Sequence, residues 1–75
     1  MTKRPILATL YRKNKPEARR QYARISTAFP RAVQLLMLEG EPGDVVEFAH
    51  ADFGFQIGTV KIHAGGKITV NWVLK

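Results

Sequence analysis

Residues 14–25, Asn-Lys-Pro-Glu-Ala-Arg-Arg-Gln-Tyr-Ala-Arg-Ile, decide how this chain is read. Asn14 suits a helix N-cap, Pro16 suits the first turn, and Glu17 follows Asn14 by three residues. That is the capping-box spacing, with Asn in the place of Ser or Thr. Ala18, Tyr22 and Ile25 then fall at i, i+4 and i+7, which puts them on one helical face. Arg19, Arg20 and Arg24 fall on the other. The pattern predicts an amphipathic helix over 15–26 with a cationic outer face.

Upstream, residues 4–12 (RPILATLYR) carry apolar side chains on both parities. Thr, Ile and Tyr together with Pro5 favour a strand over a helix there. Downstream, Pro30 cannot sit deep in a helix without removing a hydrogen bond. The reading therefore restarts a helix after a cap at Ser26 or Thr27, runs it over 28–39, and ends it at Gly40 as a left-handed C-cap. That second helix is apolar nearly all round. Val33, Leu35, Leu36, Met37 and Leu38 cannot all face one small sheet, so Leu35 and Leu38 are expected to meet a second copy or a docked partner.

Glu41-Pro42-Gly43-Asp44 is a turn by composition. Beyond it the period changes to two. Val46 and Phe48 alternate with Val45 and Glu47, which predicts a strand over 45–50. Ala51-Asp52 makes a short connection. Phe53, Phe55 and Ile57 share one parity, and Val60 and Ile62 share the other. The isolated Gly58 between them is the pattern of a β-bulge. Ala64-Gly65-Gly66 predicts a hairpin turn, and Ile68, Val70, Trp72 and Leu74 face one way on a last strand over 67–74. Phe48, Phe55 and Trp72 are expected in the core, and Phe53 is the aromatic expected to be exposed.

Gly43-Asp44-Val45-Val46-Glu47-Phe48 and Gly58-Thr59-Val60-Lys61-Ile62 resemble the opening and the close of the KOW motif. That motif belongs to small SH3-like barrels of ribosomal proteins and transcription elongation factors. The resemblance spans residues 43–74 and implies a strongly bent β-meander. It departs from the family at the loop His50-Ala51-Asp52-Phe53-Gly54-Phe55-Gln56. An acid and two aromatics stand there where Lys or Arg touches RNA in such proteins. The expected architecture is thus one α+β domain over 1–75. Basic N-terminal helices (1–40) pack on a small, strongly bent, SH3-like antiparallel meander (41–75).

Charge is the strongest functional signal. Of twelve basic side chains, nine lie in residues 1–31: Lys3, Arg4, Arg12, Lys13, Lys15, Arg19, Arg20, Arg24 and Arg31, against the single acid Glu17. The remaining residues are slightly acidic, and the chain nets +6. A basic arm on a near-neutral body is an electrostatic footprint for a polyanion. The nine residues are therefore the candidate nucleic-acid contacts, with DNA and RNA both open and sequence specificity expected to be low. Phe53 is the candidate for base stacking. Two plainer alternatives stay open: a solvated helix face, and an acidic protein partner such as the surface of a polymerase.

Other chemistry has little support. The chain has no cysteine, which excludes disulfides, thiolate metal sites and thiol catalysis and fits a reducing compartment. It has no nucleophile elbow, no phosphate-cradling glycine loop and no paired carboxylates of a pocket. His50, His63 and Asp52 lack the close-spaced pair of a metal site. No apolar run approaches the roughly 18 residues of a spanning helix, and the basic start lacks a signal-peptide core. The expectation is a non-catalytic cytoplasmic protein with no cofactor and no membrane. Its build suits a small bacterial or bacteriophage gene regulator, and its apolar helix suits a homodimer or an interaction module.

Overall fold

The computed structural model describes residues 3–73. Strand β1 (Ile6–Arg12) pairs antiparallel with β2 (Lys15–Tyr22). The helix α1 (Ile25–Glu39) follows, then β3 (Val45–His50), β4 (Gln56–Ile62), a short 3-10 turn (Ala64–Gly66) and β5 (Ile68–Trp72). The five strands make one antiparallel sheet in the order β2-β1-β3-β4-β5, with α1 across one face.

This corrects the expected architecture. Residues 15–22 are not a helix but the edge strand of the sheet, so among the described residues one α-helix stands where two were expected. The meander does not lie beneath basic N-terminal helices. Its strand β3 pairs with β1, and β1 with β2, so the arm extends the same sheet. The cause lies in a two-residue turn. Lys13 and Asn14 both have positive φ, 55° and 63°, and Arg12 pairs directly with Lys15. Positive φ at both central residues is the hairpin geometry whose twist matches its strands, and Asn tolerates it better than most residues. Asn14 thus turns the chain instead of capping a helix. Opposite Leu10 and Tyr11 the register shifts so that Glu17 is the extra residue of a bulge. Pro16 is accommodated because β2 is an edge.

Directly paired residues share a sheet face. One row beneath the helix runs Ala18, Leu10, Val46, Val60, Val70, and the next runs Arg20, Ala8, Phe48, Gly58, Trp72. Onto these rows α1 lowers Ala28, Ala32 and Leu36, spaced four apart, all buried. Two alanines in that stripe let the helix axis approach the sheet, so Phe48, Leu36 and Val60 are sealed completely. Burying one such Leu, Val or Phe side chain contributes about 1.5–3 kcal/mol.

The helix begins at Ile25, earlier than expected, so Pro30 lies in its second turn. Its Arg24 cap supplies no side-chain hydrogen bond. The Arg24 carbonyl instead accepts from the N–H of Thr27 (3.2 Å) and of Ala28 (3.1 Å). Ile25 and Phe29 pack against the core, and that packing holds the first turns where capping is weak. Gly40 is not left-handed, with φ −73°. It is required for close approach: a Cβ there would lie 2.4 Å from the Leu36 carbonyl oxygen.

The β-part follows the alternation closely. Strand β3 has the expected bounds, and the register shifts beside Phe48 and Ala49, which leaves Ile57 as the extra residue next to Gly58. Gly58 itself is open so that the Trp72 ring can lie over it. Trp72, expected in the core, is instead 45% exposed, with its ring beside Phe29 (centroids 5.4 Å apart) and Phe48 (6.3 Å). Phe53 and Phe55 are not strand residues but belong to the β3–β4 loop, and Phe55 is exposed, contrary to its expected place in the core. The last strand ends at Trp72, and Leu74 lies outside the described residues.

Candidate nucleic-acid interface

The fold sorts the nine expected cations into different roles. Arg12 is committed to structure. Its Nε donates to Asp44 Oδ2 at 3.0 Å, one Nη to Glu17 Oε1 at 3.3 Å, and the other to the Glu39 carbonyl at 3.4 Å. Hydrogen bonding to Asp44 raises the Arg12 pKa further above its ordinary value, with the charges of Asp44, Glu17 and Glu41 adding to it. Asp44 is itself buried, and it also accepts the Glu41 N–H at 2.9 Å. Arg12 therefore fastens the β1–β2 hairpin to the turn before β3.

That fastening gathers Glu17, Glu39, Glu41 and Asp44, four of the chain's six acids, at one end of the sheet. The opposite end carries the tail of β2, the first turn of α1 and the β3–β4 loop. There Arg20 and Arg31 line one open depression of about 660 Å³ together with Arg4, Gln21, Tyr22, Ala23 and Thr27. No acid lines it. Strand register explains the meeting. Arg20 stands in the row of Ala8 and Phe48, so its side chain leaves the sheet on the helix side, where Arg31 projects from α1. Arg24 caps the helix at the same end, and the first turn of α1 holds no acid to offset the positive end of the helix dipole.

The remaining cations spread out. Lys13 and Lys15 sit at the exposed hairpin tip at the other end, and Lys3 is exposed ahead of β1. Arg19 faces the helix-free side of the sheet, in the row of Thr9 and Glu47. Arg19 and Arg20 thus lie on opposite faces and do not form the single cationic helix face expected from the sequence.

The aromatic loop was only half anticipated. Phe53 is 73% exposed and Phe55 43%. Their rings are nearly parallel, 7° apart with centroids at 6.4 Å, and the His50 ring lies 4.7 Å from Phe53 and 5.0 Å from Phe55. His50 Nδ1 accepts the N–H groups of Asp52 (3.2 Å) and Phe53 (3.3 Å) and so organises the turn. Tyr22, Thr27, His50 and Phe55 are the residues that sequence reasoning missed. The signal for the loop was available in Phe-Gly-Phe flanked by a histidine, but small size argued for burial.

His63 stands apart from His50, with Nε2 2.7 Å from Thr69 Oγ1. Among the described residues no group of three His, Cys, Asp or Glu is placed to hold a metal, and no helix is long and apolar enough to cross a membrane. Of the two leucines expected at an interface, Leu35 is partly buried against the core and faces Ala18 and Leu10. Leu38 is 76% exposed. No family model, curated protein or solved structure matches this chain.

Proposed function

We propose that this protein binds nucleic acid without catalysis, through the cationic end of its sheet. One observation carries the reading: Arg20 of β2 and Arg31 of α1 converge with Arg4 on a depression that no acid lines, while Glu17 and Asp44 are ion-paired to Arg12. Phosphates supply sequence-independent affinity through such contacts and through the counterions they release. Specificity is low, because phosphate contacts carry no sequence information. The cysteine-free composition suits a cytoplasmic setting.

Salt dependence tests the reading. About four phosphate contacts, from Arg4, Arg20, Arg24 and Arg31, give a slope of log affinity on log salt of roughly −3 to −4. Affinity then falls on the order of a hundredfold between about 50 mM and 200 mM salt. Replacing Arg20 and Arg31 by Gln flattens the slope by roughly 1.5–2 and weakens every sequence alike. Binding that ignores salt, or that survives this double substitution unchanged, removes the assignment.

A second reading has its own observation. Met37 is 65% exposed and Leu38 76%, and with Phe29, Pro30, Val33 and Gln34 they line an apolar groove of about 460 Å³. Two such side chains on one helix face favour a homodimer or a docked protein. Under this reading the cationic end meets an acidic protein surface, and partners recovered from lysate survive nuclease treatment.

A further inference from the structure

We infer that the bound nucleic acid is single-stranded, with bases stacking on Phe53 and Phe55 and the backbone lying along Arg20 and Arg31. The inference rests on the proposed nucleic-acid reading and adds the strand class and the second half of the site. It starts from register. Ile6 pairs with Tyr22 on one side and with His50 on the other. The edge of the depression and the root of the aromatic loop are therefore two strand spacings apart, about 10 Å. A chain of one or two nucleotides bridges that interval.

The loop is built and not slack. His50 N–H donates to the Phe55 carbonyl (2.9 Å) and Gly54 N–H to the His50 carbonyl (2.7 Å). Ala51 N–H donates to the Pro5 carbonyl (2.7 Å), which ties the loop to the segment just before β1. Gly54, at φ 78°, takes the conformation that allows Phe53 and Phe55 to emerge side by side. The rings are thus held ready in solvent, while Phe48 is sealed in the core and Phe29 packs against it. A small domain that keeps two phenylalanines out of its core and orders them beside cations has the two parts of a single-strand platform: aromatic faces for bases and a positive track for phosphates. A duplex keeps its bases stacked inside and cannot use the rings.

The probes are a deoxythymidine oligomer, its ribouridine counterpart, an abasic strand of equal length and a duplex, measured by fluorescence anisotropy. The expected result is tighter binding of at least one of the two homo-oligomers than of the abasic strand and of the duplex. Phe53→Ala should weaken that oligomer by about 5- to 150-fold, which is about 1–3 kcal/mol at 1.4 kcal/mol per tenfold, and leave the abasic strand and duplex unchanged. The abasic comparison uses the unaltered protein, so it stands even if the variant folds poorly. Equal affinity for abasic strand and oligomers overturns the stacking while the Arg20 and Arg31 substitutions still report on the cationic site. No binding to any of the four overturns this inference and the reading beneath it together.

Discussion

Replacing Gly58 by Ala should destabilise the protein, although alanine is ordinarily the better residue in a strand. A Cβ built on Gly58 would lie 2.6 Å from Cε3 and 3.1 Å from Cζ3 of Trp72, and 2.9 Å from the Asn71 carbonyl oxygen. Ordinary contact begins near 3.4 Å, so ring and backbone must both retreat by several tenths of an ångström. Trp72 has little room to do so, because Phe29 and Phe48 flank it. Overpacking of this kind costs about 1–3 kcal/mol. Restricting the unfolded chain returns about 0.4–1 kcal/mol of that. The net is a loss of roughly 1–2 kcal/mol, which in a domain of this size lowers Tm by roughly 5–15 °C. Thermal and urea unfolding followed by circular dichroism measure it. Trp72→Leu supplies the control, since the clash is then gone and the two substitutions should couple by about 1 kcal/mol in a double-mutant cycle. A Gly58→Ala protein as stable as the parent, or strict additivity with Trp72→Leu, would refute the account of the ring over Gly58.

The hairpin and the helix face give two further predictions. Changing Lys13-Asn14 to Asn-Gly matches the positive φ of both residues and should stabilise the protein by about 0.5–1 kcal/mol in a urea titration; a loss of stability would return residues 14–16 to a helix start. Replacing Met37 and Leu38 by Lys removes two exposed apolar side chains, so monomer stability should change by less than about 0.5 kcal/mol. If the helix face joins two copies, sedimentation equilibrium should show dimers of the parent protein and monomers of this variant. A parent that is monomeric at high concentration removes the homodimer.

The β3 strand, the bulge beside Gly58 and the turn at Gly65-Gly66 were legible because their signals are local: period-two alternation and glycines at turn positions. Residues 15–22 were not, for a specific reason. Ala18 and Tyr22 are four apart, an even interval, so they share a strand face as readily as a helix face. In the apolar pattern Ile25 alone broke the tie, and it belongs to the next element; the capping-box spacing of Asn14 and Glu17 pointed the same way, but Asn14 serves the hairpin turn. Glu17, Ala18, Arg19, Arg20 and Gln21 all favour helix on propensity, but the sheet edge beside β1 outweighs a few tenths of a kcal/mol per residue. The fate of Arg12 could not be read at all, because its partner Asp44 lies 32 residues away. Phe55 was misplaced for a different reason: the rule that large apolar residues go inside gave no weight to a loop that His50 holds in place.

The strand in place of the helix changes what the basic arm does. On a helix, Arg20 and Arg24 would stand one turn apart and carry their charge wherever the helix went. On an edge strand, Arg19 and Arg20 point to opposite faces, and neither has a cationic neighbour on its own element. Arg20 acquires cationic neighbours from other segments: Arg4 ahead of β1, and Arg31, which α1 presents to the same depression as it returns across the sheet. Arg12, one pair from the hairpin tip, is at the same time drawn into the acids at the other end. The different surroundings of Arg12, paired with acids, and of Arg20, beside Arg31, are therefore a product of tertiary structure and not of the linear distribution, in which both belong to one uniform arm. The proposed stacking on Phe53 and Phe55 rests on the same closure. The loop that carries them meets the cationic end only because β1 lies between β2 and β3, with Pro5 bonded to Ala51.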